Sequence, residues 1–121
     1  MKKLLLLLLF VALCVVFIVV KTEERGDVFV SPLKYHISSD STAEVIYDRS
    51  YIDLESVVIP SEIRISGHVY LVTSIEYRAF YGCYDMTNIE IPSSVTHIDI
   101  SAFDYCTELT SINVSRDNPN Y

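Results

Sequence analysis

Two adjoining stretches, VTSIEYRAFYGCYDMTNIEIPSS at residues 72–94 and VTHIDISAFDYCTELTSINVSRD at residues 95–117, decide how this 121-residue chain is read. They meet without a gap, and eight of their 23 positions are identical. Ordinary residue usage would give about one or two matches by chance. Val72/Val95, Ile75/Ile98, Ala79/Ala102, Phe80/Phe103, Cys83/Cys106, Met86/Leu109, Ile89/Ile112 and Ile91/Val114 stay apolar in both copies. Arg78/Ser101, Tyr81/Asp104 and Glu90/Asn113 drift freely between them. Inward positions that hold their character while outward ones vary mark successive coils of a stacked core.

Within each copy, TNIEI and TSINV alternate with period two and end in turn formers. They are predicted to be strands with Ile89, Ile91, Ile112 and Val114 inward. Val-Thr-x-Ile opens a second short extended piece, and Ala-Phe follows in a tight helical turn. Phe80 and Phe103 are expected to stack roughly 5 Å apart along the axis, the spacing of neighbouring strands. Upstream, LESVVIPSEI at residues 54–63 repeats the Met86 to Val95 phrase, and nine residues counted from Ile63 precede Val72. That insertion reads as a hairpin turning at Gly67-His68. A second hairpin is expected from Lys34-Tyr-His-Ile-Ser and Ala43-Glu-Val-Ile-Tyr47. The two together read as a cap over the first open coil.

The predicted organisation is a leader at 1–21, a linker at 22–33, and a cap with a first partial repeat at 34–71. Repeats follow at 72–94 and 95–117, and residues 118–121 look like the start of an unfinished continuation. The leader is two lysines and an apolar run over residues 4–20, closed by Lys21. It is either a signal peptide or an uncleaved membrane anchor helix, and both readings export the remainder. Cys14 is a weak lipid-attachment candidate, because bulky Leu13 precedes it and the apolar run continues past it. Residues 21–121 carry seven of the nine Lys and Arg and all sixteen Asp and Glu, a net charge of −9. That balance argues against nucleic acid as a partner.

The pattern IPSSVTxIxxxAFxxCxxLTSIxV, with its 23-residue period, resembles the BspA-type leucine-rich repeat family of surface and secreted proteins in bacteria and some parasitic protists. The resemblance covers residues 35–121. It implies a mostly β fold: a short leucine-rich-repeat solenoid with an N-terminal β-hairpin cap. Inter-repeat phrasing at the C-terminus, NVSRDNPNY, implies an open last edge or a truncated member.

Chemistry is sparse. Cys83 and Cys106 occupy equivalent places, as buried thiols or a disulfide. His36, His68 and His97 have no metal-ligand spacing, and His97 reads as a surface residue. Glu76/Asp99 and Asp85/Glu108 form like-charged rows without the glycine-rich loops of a calcium site, so solvated carboxylates are expected. No nucleophile, base or metal constellation is present, and neither an enzyme, a cofactor nor a metal is expected. Nine tyrosines stand against no tryptophan. Tyr81, Tyr84 and Tyr105 cluster near the cysteine turns, where they either shield the coil edge or form aromatic contacts. The family implies a non-enzymatic protein-binding or adhesive module facing a protein or extracellular-matrix partner. Its expected contact face is Ser56, Val58, Asn88, Glu90, Ser111 and Asn113, outward on the strands. The alternative is an assembly segment that self-associates through its C-terminal repeat edge.

Overall fold

The computed structural model describes residues 26–121. The leader expected at 1–21 lies outside them. Among the described residues no helix is long and apolar enough to cross a membrane. Regular structure is almost wholly strand: β1 (Asp27–Val30), β2 (Leu33–Ile37), β3 (Thr42–Ile46), β4 (Ser56–Val58), β5 (Glu62–Ile65), β6 (His68–Ile75), β7 (Asn88–Ile91), β8 (His97–Ile98) and β9 (Ser111–Val114). Among the described residues one 3-10 segment, Arg49–Asp53, interrupts them, its first turn capped by the Asp48 side chain accepting from the Ser50 N–H.

The strands form two sheets. One is a three-stranded parallel sheet in the order β4-β7-β9. The other runs β1-β2-β3-β6-β5, with β8 also on β6. Leu71 pairs with both Thr42 and Glu62, so β3 and β5 lie on opposite edges of β6. β5 therefore shares its edge with β8, each beside a different half of the strand.

Registers reproduce the repeat. Ser74 faces His97 and Ile75 faces Ile98, while Asn88, Ile89, Glu90 and Ile91 face Ser111, Ile112, Asn113 and Val114. Every pair is offset by the 23 residues of the sequence period. Between strands the turns also bond coil to coil, Phe80 N–H donating to Ala102 O and Gly82 N–H to Asp104 O, both at 2.9 Å. The identical threonines stitch the stack. Thr87 Oγ1 donates to Glu55 O at 3.1 Å, Thr110 Oγ1 to Thr87 O at 3.2 Å and Thr96 Oγ1 to Thr73 O at 3.4 Å.

Phe80 and Phe103 stack as expected, centroids 5.6 Å apart and planes 6° from parallel. The column continues to Tyr51, 5.3 Å from Phe80. Tyr51 therefore fills the phenylalanine place of an earlier coil, built from β3, the 3-10 segment and β4. That coil is shorter than its neighbours between aromatic and strand, which hid it from the alignment. β3 consequently belongs both to the cap hairpin and to the stack, pairing in parallel with β6.

Two boundaries and one burial differ from expectation. The expected linker at 22–33 includes β1, because Val28 and Val30 alternate inward and pair with Tyr35 and Leu33 of β2. The hairpin of the insertion turns at Ser66-Gly67, since Ile65 pairs with His68. Both turn residues have positive φ, 49° and 86°, the conformation that a type I′ turn demands and that glycine adopts without strain. Ile112 occupies the inward register yet is 48% exposed, because no later coil covers it among the described residues. Beyond β9 the chain bends under the last coil. Asn118 is buried, its Nδ2 donating to Pro92 O at 3.0 Å and Val95 O at 2.9 Å, and the Tyr121 hydroxyl accepts from Ile98 N–H at 3.0 Å.

Candidate functional site: the strand face and the tyrosine edge

Alternation in β4, β7 and β9 turns Val57, Ile89 and Ile91 into the core and sends their neighbours outward. Parallel pairing aligns these outward residues across three coils. Ser56, Asn88 and Ser111 form one row, and Val58, Glu90 and Asn113 form a second. All six residues singled out in the sequence thus meet on one sheet face. The rows sit one strand spacing apart per step, roughly 4.8 Å. Val58, Glu90 and Asn113 border a shallow groove of about 310 Å³, walled on its far side by Ile59, Pro92 and Val114. Ser111 Oγ donates to Asn113 Oδ1 at 3.1 Å, so these two polar groups are held along the strand. The face offers hydrogen-bonding groups, one carboxylate and one exposed valine, and no paired acid and base.

The three tyrosines named in the sequence lie together at the coil edge. Tyr84 and Tyr105 are exposed, and Tyr81 is half-buried. Tyr81 meets Tyr105 edge-on at 5.2 Å. Tyr105 has φ 64°, matching φ 71° at its repeat-mate Gly82. Tyr105 in that left-handed turn is 61% exposed. Beside them the Arg78 guanidinium lies over two rings, 5.2 Å from Tyr77 and 4.7 Å from Tyr81. Tyr47, Tyr77 and Ile100, which the sequence reading passed over, complete this edge. Val45 pairs with Ile75 and Ile75 with Ile98, so the residues two places on occupy equivalent positions in three coils. Their exposures are 48%, 58% and 97%. The available signal was Tyr77 over Ile100, two large apolar residues that follow an acidic residue in both copies.

The cysteines are free thiols. Cys83 is buried and Cys106 partly so, its Sγ donating to Phe80 O at 3.0 Å. Burial, with Cys106 beside it, pushes the Cys83 thiol up to about 12, far from a reactive thiolate. His36 Nδ1 is 3.0 Å from Asp27 Oδ1, His68 stacks on Tyr70, and His97 is exposed. Among the described residues no three His, Cys, Asp or Glu side chains come together as a metal site. In the Glu76/Asp99 row, Asp99 Oδ1 accepts from Ser101 N–H at 3.0 Å, and Glu76 accepts from Ser74 Oγ at 2.7 Å.

Known proteins resemble this arrangement. Residues 52–120 match the family described as "BspA type Leucine rich repeat region (6 copies)". A leucine-rich repeat protein from Bacteroides capillosus is similar at 33% identity and TM-score 0.66, over 74% of this chain and 66% of that one. One from Bacteroides ovatus has the same identity and TM-score, over 74% of this chain and 24% of its own. A leucine rich cell surface protein from Faecalibacterium prausnitzii, 23% identical with TM-score 0.67, shares the fold over 81% of this chain and 26% of its own. The chain thus spans just under two thirds of the first of these proteins and about a quarter of the other two. No curated protein is similar enough to match.

Proposed function

Because the chain belongs to the BspA-type leucine-rich repeat family, we propose that it is a non-enzymatic, surface-exposed or secreted module that binds a protein or extracellular-matrix partner through its strand face. One observation carries this reading: two rows, Ser56-Asn88-Ser111 and Val58-Glu90-Asn113, lie open across three coils beside a groove. A parallel sheet held by coil-to-coil bonds is rigid, so the six side chains are presented with little ordering cost on binding. Their mixed polarity suits an interface rim with an apolar spot at Val58 and Pro92. Export to the cell surface fits the apolar leader and the surface protein from Faecalibacterium prausnitzii that shares the fold.

The test is capture on an immobilised panel of extracellular-matrix proteins. Glu90→Lys and Asn88→Ala are expected to weaken capture at least fivefold while leaving the circular-dichroism spectrum intact. Equal loss from changes on the tyrosine edge removes the assignment. The half-exposed Ile112 favours one second reading, self-association through the last coil. Light scattering over a concentration series separates them, because a mass that grows with concentration and reverts in Ile112→Lys supports assembly.

A further inference from the structure

The groove on the strand face holds one polar group that nothing in the fold uses. Its walls are apolar, Val58, Pro92 and Val114 among them, and the polar side chains lining it are Glu90, Asn113 and Ser115. Two of those three have partners. Asn113 Oδ1 accepts from Ser111 Oγ at 3.1 Å, and Ser115 Oγ accepts from Asp117 N–H at 3.4 Å. The Glu90 carboxylate has neither an ion pair nor a hydrogen bond among the described residues. Its backbone is fully engaged in the stack, Glu90 O accepting from Ile59 N–H at 3.0 Å, so the side chain stands on a fixed base. No cation lines the groove. Arg64 is held by Glu62 at 3.0 Å, and Arg116, the residue after Ser115, is exposed and outside the lining. Across the sheet Glu90 is flanked by Asn113 on one strand and on the other by Val58, which is 63% exposed.

We propose that this groove receives an arginine side chain of a protein partner, and that Glu90 is the residue that selects it; the inference rests on the strand-face reading and names what that face recognises. An arginine joins an apolar stem to a charged fork. The stem needs an apolar wall, which Val58 and Val114 supply. The flat, weakly hydrated guanidinium lies on apolar surface such as Pro92 more readily than a strongly hydrated ammonium does. Its paired N–H groups match the two oxygens of a carboxylate, in bonds roughly twice as strong as those between neutral groups. Size agrees with this occupant. The groove, about 310 Å³, lies at the lower end of the roughly 300–1,000 Å³ of small-ligand sites, which suits one long side chain. Charge agrees as well, since the −9 of residues 21–121 draws a cationic segment. An acidic segment would meet like charge at Glu90. A wholly apolar one would bury that carboxylate unpaired, which is costly.

An NMR titration of the full, nitrogen-labelled 121-residue chain in mild detergent tests the proposal. The probe is a pentapeptide with blocked ends and one central arginine. Saturable shifts are expected at the Val58, Glu90 and Val114 amides. Affinity should fall at least fivefold when citrulline, equal in shape but uncharged, replaces the arginine, and at least threefold when lysine does. Glu90→Gln changes an exposed side chain, so the fold is expected to survive, and it should weaken the arginine peptide at least fivefold. Tyr77→Ala should leave that affinity unchanged. Equal binding of the citrulline or lysine peptide overturns the proposal, as does undiminished binding to Glu90→Gln. The same peptide separates this inference from the reading beneath it. Arginine binding that Glu90→Gln weakens, with no matrix protein captured, upholds the inference and removes the proposed partner class. Glu90-dependent capture of a matrix protein that excess arginine peptide does not compete upholds the strand face and overturns the inference.

Discussion

Tyr51 shows how one side chain joins cap to stack. Its ring extends the aromatic column, and its hydroxyl donates to Ile46 O at 2.9 Å and accepts from Lys34 N–H. Replacing it by phenylalanine takes that partner from the backbone groups in a part-buried place. Tyr51→Phe is expected to cost about 1–3 kcal/mol, read as a lower urea midpoint at unchanged slope. Burial pushes the same hydroxyl well above the ordinary phenol range, and it pushes Tyr35 up to about 12. Cys83 behaves alike, rising from 9.0 to about 12. In the unfolded chain these groups ionise first, so above their ordinary values the unfolded state binds fewer protons than the fold. Their contribution to stability is whole below pH 9 and is lost progressively as the pH rises toward 12. Urea titrations from pH 8 to 11 should show that fall, and Cys83→Ala should flatten its onset near pH 9. A stability that stays level to pH 11 contradicts the burial of these groups.

Among the elements, the turn after the stacked phenylalanine is the most exacting. Gly82 and Tyr105 hold the same left-handed conformation in successive coils. Gly82→Ala places a Cβ in that conformation and should cost about 1–2 kcal/mol. Tyr105→Gly relieves the strain but loosens the unfolded chain and loses the Tyr81 contact, so its stability should change little. Paired chemical denaturation of the two variants checks the asymmetry. Phe80→Ala belongs at this scale too, because it empties the middle of the aromatic column and should cost about 3–5 kcal/mol. Strands β7 and β9 were legible because period-two alternation and the 23-residue repeat agree on them. β1 was not: a four-residue strand with two exposed positions differs little from a linker until its partner is known. The coil around Tyr51 was missed for another reason, since the aromatic lies three residues before Leu54 there but six before Met86 in the next coil. The six residues of the strand face followed from alternation alone. Of the tyrosine edge, the sequence named Tyr81, Tyr84 and Tyr105 but not Tyr47, Tyr77 and Ile100, whose alignment across three coils depends on the pairing of β3 with β6 and of β6 with β8.

At the scale of the molecule, two sheets enclose one core and expose two dissimilar surfaces, a polar ribbon of strands and an aromatic border. They answer to different variants, so binding data from Glu90→Lys and Tyr77→Ala should be separable rather than correlated. The uniform 23-residue register has a further consequence. Each full coil hands the next the same landing it was itself given, so height is a parameter the fold leaves unset. A gene carrying three extra tandem copies of residues 72–94, spliced after Ser94, should make a taller particle with unchanged girth. Small-angle scattering should record a lengthening of about 14 Å along one axis. An insert of 20 residues instead should fail, since its oily side chains would arrive out of step and face water.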